Sequence, residues 1–162
     1  MESNKVTVTN LVLLVNYDEQ KILLAMKKRG FGAGRWNGYG GKVKGEESIE
    51  GSAVREIQEE ANVALQEEDL KKVAHHSFYS PAFGTVEVHT YIAEEWEGEA
   101  VETEEMRPEW YSFKEIPYKD MWQDDKYWLP EVLKGRHLRG EFWFDKDDNL
   151  LKYTLNDYIF TA

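Results

Sequence analysis

The sequence contains no cysteine, which excludes disulfide frameworks, thiolate zinc sites and cysteine nucleophiles. Proline is scarce, with four in 162 residues, and no proline-rich or low-complexity stretch marks a linker. Positive charge is in deficit: 20 Lys and Arg stand against 31 Asp and Glu, a net charge of −11. Such a balance argues against a nucleic-acid polymer as partner, because phosphate backbones are bound through basic surface. It leaves room for one small anion held by metal ions. No apolar run approaches the ~20 residues needed to cross a bilayer, so no membrane partner is expected. The opening Met-Glu-Ser-Asn-Lys has no basic flank. The expectation is a soluble, cytoplasmic protein.

What is present is enough for a core. Hydrophobic residues make up 41% and aromatics 14%, and the length fits one domain over residues 1–162. Leu11 to Val15 and Lys21 to Met26 read as two strands joined by a polar turn. Ser48 to Ala61 reads as a helix. Val73 to Tyr79 and Val86 to Ala93 read as strands, the second alternating apolar and polar residues as a half-buried strand does. Seven glutamates between Glu94 and Glu105 suggest a solvated connection. A strand over Glu109 to Phe113, a helix near Asp124 to Lys134 and a hairpin of Glu141 to Phe144 with Leu151 to Leu155 complete the reading. Many strands with few helices predict an α/β fold, a mixed sheet with a helix on each face.

Chemistry concentrates in two places. Seven of the 12 glycines lie between Gly30 and Gly45, where backbone must turn sharply or approach something closely. Directly after them comes Arg55-Glu56-Ile57-Gln58-Glu59-Glu60. At ~100° per residue, Glu56, Glu59 and Glu60 share one arc of the helix while Ala53, Val54, Ile57 and Ala61 take the neighbouring face. Like charges at these spacings destabilise a helix by a few tenths of a kcal/mol per pair. A divalent cation reverses that cost, and Mg²⁺ prefers such oxygen ligands together with substrate phosphates. Taken alone, the acidic stripe reads as a solvated face. Arg55 four residues before Glu59, and the glycine-rich entry with Lys42 and Lys44, weigh toward a site.

Gly41, five residues, Glu47, seven residues, then Arg55-Glu56-Ile57-Gln58-Glu59-Glu60-Ala61-Asn62-Val63 resembles the signature of the Nudix hydrolase superfamily. One position departs: Asn62 stands where the family usually has glycine, and Asn is the residue that best replaces glycine in a left-handed helix end. The resemblance implies an α/β/α sandwich and Mg²⁺-dependent hydrolysis, with Mn²⁺ a substitute. It implies Glu56, Glu59, Glu60 and the Gly40 carbonyl as metal ligands, with Glu47 and Arg55 in support. Met26 to Lys42, Glu105-Met106-Arg107-Pro108, Ile116 to Asp125 and Tyr153-Thr154-Leu155 resemble the oxidised purine nucleoside triphosphatase branch of that family. That resemblance implies a monomer that sanitises the nucleotide pool, cleaving 8-oxo-dGTP and 2-hydroxy-dATP to monophosphate and pyrophosphate. It adds Glu105 to the metal and catalytic set. It implies substrate contacts from Asn10, Lys27, Phe31, Asn37, Tyr39, Gly40, Gly41, Lys42, Trp122, Gln123, Asp124 and Asp125. The stretch from Ala74 to Gly84 differs most from the branch.

Residue chemistry supports parts of this. Trp122 offers a flat face for a purine. Asn37 supplies a donor and an acceptor. Asp124 and Asp125, if desolvated together, cannot both stay charged, and a protonated acid donates where a carboxylate accepts. Otherwise the pair is an acidic helix start favoured by the dipole. His75 and His76 point to opposite faces of a strand and, with no further nearby His expected, read as surface or core. Rival readings are a Nudix enzyme for methylated or ordinary purine nucleotides and a non-catalytic nucleotide sensor. The intact set of three glutamates speaks against the sensor.

Overall fold

The structure is a computed structural model that describes residues 5–161. The polar residues 1–4, part of the N-terminal segment read above, lie outside the described residues. Eight strands form one mixed sheet: β1 (Val6–Asn16), β2 (Lys21–Lys27), β3 (Trp36–Asn37), β4 (Lys71–Ser80), β5 (Gly84–Ala93), β6 (Met106–Ser112), β7 (Leu138–Phe144) and β8 (Leu150–Asp157). The order is β3-β2-β1-β5-β4-β7-β8, with β6 also paired to β2. Two helices, α1 (Ile49–Ala61) and α2 (Asp125–Leu133), complete the layers. No helix among the described residues is long and apolar enough to cross a membrane.

The alternation of β1 divides the core. Val12 and Leu14 pack with Ala53, Ile57 and Ala61 of α1. Leu13 and Val15 pack with Trp128, Leu129 and Val132 of α2 on the other face. One helix therefore covers each face, which is the α/β/α sandwich expected. The central strand reads as a continuous apolar run because both of its faces are buried.

Two departures from the sequence reading have tertiary causes. β1 begins five residues earlier than the apolar run, because parallel pairing of Val6–Leu14 with Thr85–Ala93 extends it through polar residues. β3 has only two residues, below what any periodicity registers, and exists through its pairing with Ala25 and Met26.

One feature of the sheet places the site. β1 pairs with β2 only through Leu14, Val15 and Asn16 and then diverges from it. The segment from Tyr39 to Val43 takes over the vacated edge: Val12 N–H donates to the Tyr39 carbonyl, Asn10 N–H to the Gly41 carbonyl at 3.0 Å, and Val43 N–H to the Val8 carbonyl at 3.0 Å. A glycine-rich loop is thus held as a strand-like lip beside α1.

Candidate active site

The acidic helix is set against that lip by glycine and by one asparagine. A Cβ at Gly41 would run into the Glu56 carboxylate, and one at Gly40 would strike the Asn10 carbonyl. Only glycine allows this approach. The Asn10 amide donates to Ser52 Oγ on α1 at 2.8 Å and to the Gly41 carbonyl at 3.2 Å, so it ties strand, lip and helix together. Ser48 caps α1 by accepting from Gly51 N–H, and α1 ends at Asn62 in the left-handed conformation, φ 60°, as the exchange for glycine implied.

Arg55 organises the carboxylates. It forms a two-point pair with Glu47, donating through Nη2 at 3.0 Å and through Nε at 2.5 Å, and it donates to Glu59 at 3.1 Å. These bonds hold the Glu47 carboxyl down to about 2. Glu60 is nearly buried and accepts from Gly40 N–H at 3.1 Å. Burial first, then the charges of Glu56 and Glu105, push its pKa up to about 8, against the pull of the Gly40 N–H and Lys27. Burial and Glu59 raise Glu56, partly opposed by Arg55. Because Gly40 sits between residues whose carbonyls face β1, its own N–H and carbonyl turn toward these carboxylates. The donor set is all oxygen, crowded with negative charge and short of cations. It fits a divalent metal ion, which would displace the proton from Glu60.

A cavity of about 300 Å³ opens beside Glu60, within the usual range for small-molecule sites. Asn10, Lys27, Gly40, Gly41 and Lys42 line its polar end. Phe31, Asn37, Trp122, Asp124 and Asp125 line the rest. Trp122 is wedged among aromatic rings, 5.3 Å from Phe31 and 5.8 Å from Phe144 between centroids, with the Arg35 guanidinium 4.0 Å from its own centroid.

Asp124 and Asp125 open α2, yet neither side chain caps it. Both are buried at the cavity wall. Asp124 accepts from the Trp128 indole N–H at 2.8 Å, while Asp125 Oδ2 has no partner. Burial raises both pKa values, and the Asp124 charge drives Asp125 well above the usual carboxylate range. The pair therefore favours keeping a proton between its two carboxyls.

Two residues named from the sequence lie elsewhere. Tyr39 is fully buried among Val12, Ile57 and Ala61 on the α1 side of the lip, under the glutamates and not on the cavity wall. Gln123 turns away from the cavity and binds Asn149 and the Leu150 N–H, pinning the β7–β8 turn. Glu56 and Glu105 lie near Glu60, and Glu59 near Glu56, without lining the cavity.

Sequence reading also missed residues. Arg35 and Phe83 from loops, and His76, Phe78, Val88 and Thr90 from β4 and β5, line the cavity, and no local signal reveals the pairing that brings them there. His75 does face away from His76, but it is not isolated: pairing of β4 with β5 stacks it on His89, 4.1 Å between ring centroids. His75, Glu87 and His89 bring ligand atoms within 4.8 Å of one another. Arg139 lies 2.6 Å from His75 Nδ1 and Lys72 lies 2.8 Å from His89 Nδ1, so two cations already occupy those lone pairs. The cluster is a closed hydrogen-bond network that a metal would have to break.

Comparison with known proteins agrees with this geometry. The NUDIX domain family matches residues 7–132. The oxidized purine nucleoside triphosphate hydrolase of Mus musculus is 44% identical over 90% of this chain and 92% of its own length. The protein of the same name from Danio rerio is 38% identical over 91% of this chain and 94% of its own. Among solved structures, the MutT protein of Bacillus halodurans superposes with a TM-score of 0.81 at 28% identity, over 93% of this chain and 97% of that one. The split β1, the glycine lip, the carboxylate face of α1 and this extent of likeness place the chain in the Nudix hydrolase family.

Proposed function

We propose that this chain hydrolyses oxidised purine nucleoside triphosphates, 8-oxo-dGTP and 2-hydroxy-dATP among them, to the monophosphate and pyrophosphate with Mg²⁺. The observation that carries this reading is one cavity with a metal-suited carboxylate set at one end and an aromatic, proton-holding wall at the other. The names of the mouse and zebrafish relatives support the substrate class.

The residues divide the work. Glu56, Glu59, Glu60, Glu105 and the Gly40 carbonyl would hold Mg²⁺, which supplies charge neutralisation and water activation in phosphoryl transfer. Arg55 orients Glu59 and, through Glu47, anchors the loop after the lip. Lys27 and Lys42 line the cavity on the glutamate side and meet the phosphates, offsetting the repulsion that a protein of net charge −11 exerts on a polyanion. Trp122 and Phe31 stack on the purine. Asn37, Asp124 and Asp125 hydrogen-bond its edge. A pair that holds one proton donates through one carboxyl and accepts through the other, so it matches either of two base edges by moving that proton.

A kinetic panel over oxidised, methylated and ordinary purine nucleoside triphosphates with Mg²⁺ tests this. The expected result is kcat/KM at least tenfold higher for the oxidised bases, with monophosphate and pyrophosphate as products. Preference for a methylated or ordinary purine overturns the substrate assignment, and binding without turnover would make the chain a sensor.

A further inference from the structure

Two polar groups in the cavity wall have no role in the fold. β4 turns Ala74, His76 and Phe78 toward α2, and β5 turns Val86, Val88 and Thr90 to the same side. His76 pairs with Val88 and Thr90 with Ala74, which makes His76 and Thr90 diagonal neighbours. Both are fully buried and both line the cavity. Among the described residues, neither ring nitrogen of His76 and not the Thr90 hydroxyl has a hydrogen-bond partner.

Their surroundings are apolar. The His76 ring meets Trp128 and Phe142 edge-on, each 5.0 Å away between centroids. Gly140 on β7 leaves it room, since a Cβ there would come within 2.9 Å of His76 Nδ1. An aliphatic pair would fill this place without burying three orphaned polar atoms, so the fold alone gives no reason for them. Burial draws the His76 pKa down to about 3, which leaves a neutral ring with one donor and one acceptor nitrogen near neutrality. The Thr90 hydroxyl also donates and accepts.

We infer that His76 and Thr90 form a polar subsite in the nucleotide cavity that takes a hydrogen-bonding substituent of the purine base, directly or through one ordered water, and so sets which bases the chain prefers. The inference rests on the purine reading of the cavity given above. It adds to the Asp124–Asp125 pair a second polar group that stays uncharged near neutrality. His76 lies among aromatic rings and not among the glutamates, so it selects the base and takes no part in cleavage.

The test uses His76→Leu and Thr90→Val in the full chain, which keep shape and remove the polar atoms. Calorimetry measures Kd for 8-oxo-dGMP, dGMP, 2-hydroxy-dAMP and dAMP, and hydrolysis of the four triphosphates is followed in parallel. The expected result is a change of fivefold or more in the Kd ratio of oxidised to ordinary base for at least one pair. KM should carry the change and kcat should not, and the variants should unfold at no lower temperature than the wild type. A smaller change for both pairs overturns the inference and makes the residues wall only; if His76→Leu does not fold, Thr90→Val decides alone. Wild type that binds the monophosphates but cleaves no triphosphate refutes the proposed reaction, and the Kd ratios still decide the subsite. Wild type that binds none of the four overturns both.

Discussion

Two groups of carboxylates border one cavity, and the fold treats them in opposite ways. On α1, Glu56, Glu59 and Glu60 stand beside Arg55, Lys27 and a backbone N–H, with Glu59 well exposed. On α2, Asp124 and Asp125 are dry, and the Trp128 indole is the one side chain that donates to them. The first group has more negative charge than its partners offset, with Glu60 on the Gly40 N–H and Glu56 against Gly41. A divalent cation relieves it. The second is buried beside the Trp128 indole, and a retained proton relieves it. On the proposed reading, carboxylates would serve as metal ligands in one place and as a hydrogen-bond donor in the other, by burial and partners.

The strongest way to break this contrast is Glu56→Gln. It removes a charge from the metal group and should lower kcat at least ~100-fold in a folded protein, the scale of lost metal or acid–base function. Near-normal turnover, measured at saturating Mg²⁺, would reject the metal role. Trp122→Ala adjoins the second group and should weaken purine binding by ~1–3 kcal/mol, with the loss shared across bases because stacking tolerates base edges. Unchanged binding of every purine by titration would return Trp122 to the core.

Asp124→Asn and Asp125→Asn should each shift the kcat/KM ratio of 8-oxo-dGTP to 2-hydroxy-dATP about tenfold, since a lost hydrogen bond of ~1.4 kcal/mol is a factor of ten. The pH dependence of that ratio should flatten in both. Equal losses for the two substrates at every pH would leave the pair a structural role only.

The contrast also reaches stability. A carboxyl whose pKa is raised by folding keeps its proton in the native state after the unfolded chain has lost it. The unfolded state then binds fewer protons, so stability falls as pH rises, by at most ~1.4 kcal/mol per pH unit for each such group. For Glu60 the window runs from about 4.5 to about 8. For Asp125 it starts at the ordinary Asp value and extends upward. Metal-free protein should therefore lose stability across this range in denaturant titrations. Glu60→Gln and Asp125→Asn should each flatten the slope, while Mg²⁺ should restore stability at pH 8 in Asp125→Asn but not in Glu60→Gln. If both variants respond alike to Mg²⁺, the two groups are not distinct.

Local spacing made the first group legible. Glu56, Glu59 and Glu60 lie within one helix, and helical periodicity alone puts them on one arc. Asn62 was readable for the same reason, as a left-handed end needs a residue that tolerates it. The lip was readable only as a glycine concentration. Its alternation, which sends Gly40 to the carboxylates and Tyr39 into the core, depends on pairing with β1. The contact of Gln123 with the β7–β8 turn was not legible, because its position beside Trp122 and Asp124 says nothing of that turn.

The sequence by itself determined the acidic helix, its C-terminal end, most strands and the family, because each rests on residues a few positions apart. Tertiary structure decided what those residues face. Parallel pairing of β1 with β5 brings Thr9 and Asn10 beside Val88 and His89, and the sheet sets His76 and Thr90 in the same cavity as Asp125. Whether a histidine 14 positions from another stacks on it, or a carboxyl keeps its proton, depends on water excluded and neighbours supplied by distant segments. Those are properties of the packed molecule, and no local pattern encodes them.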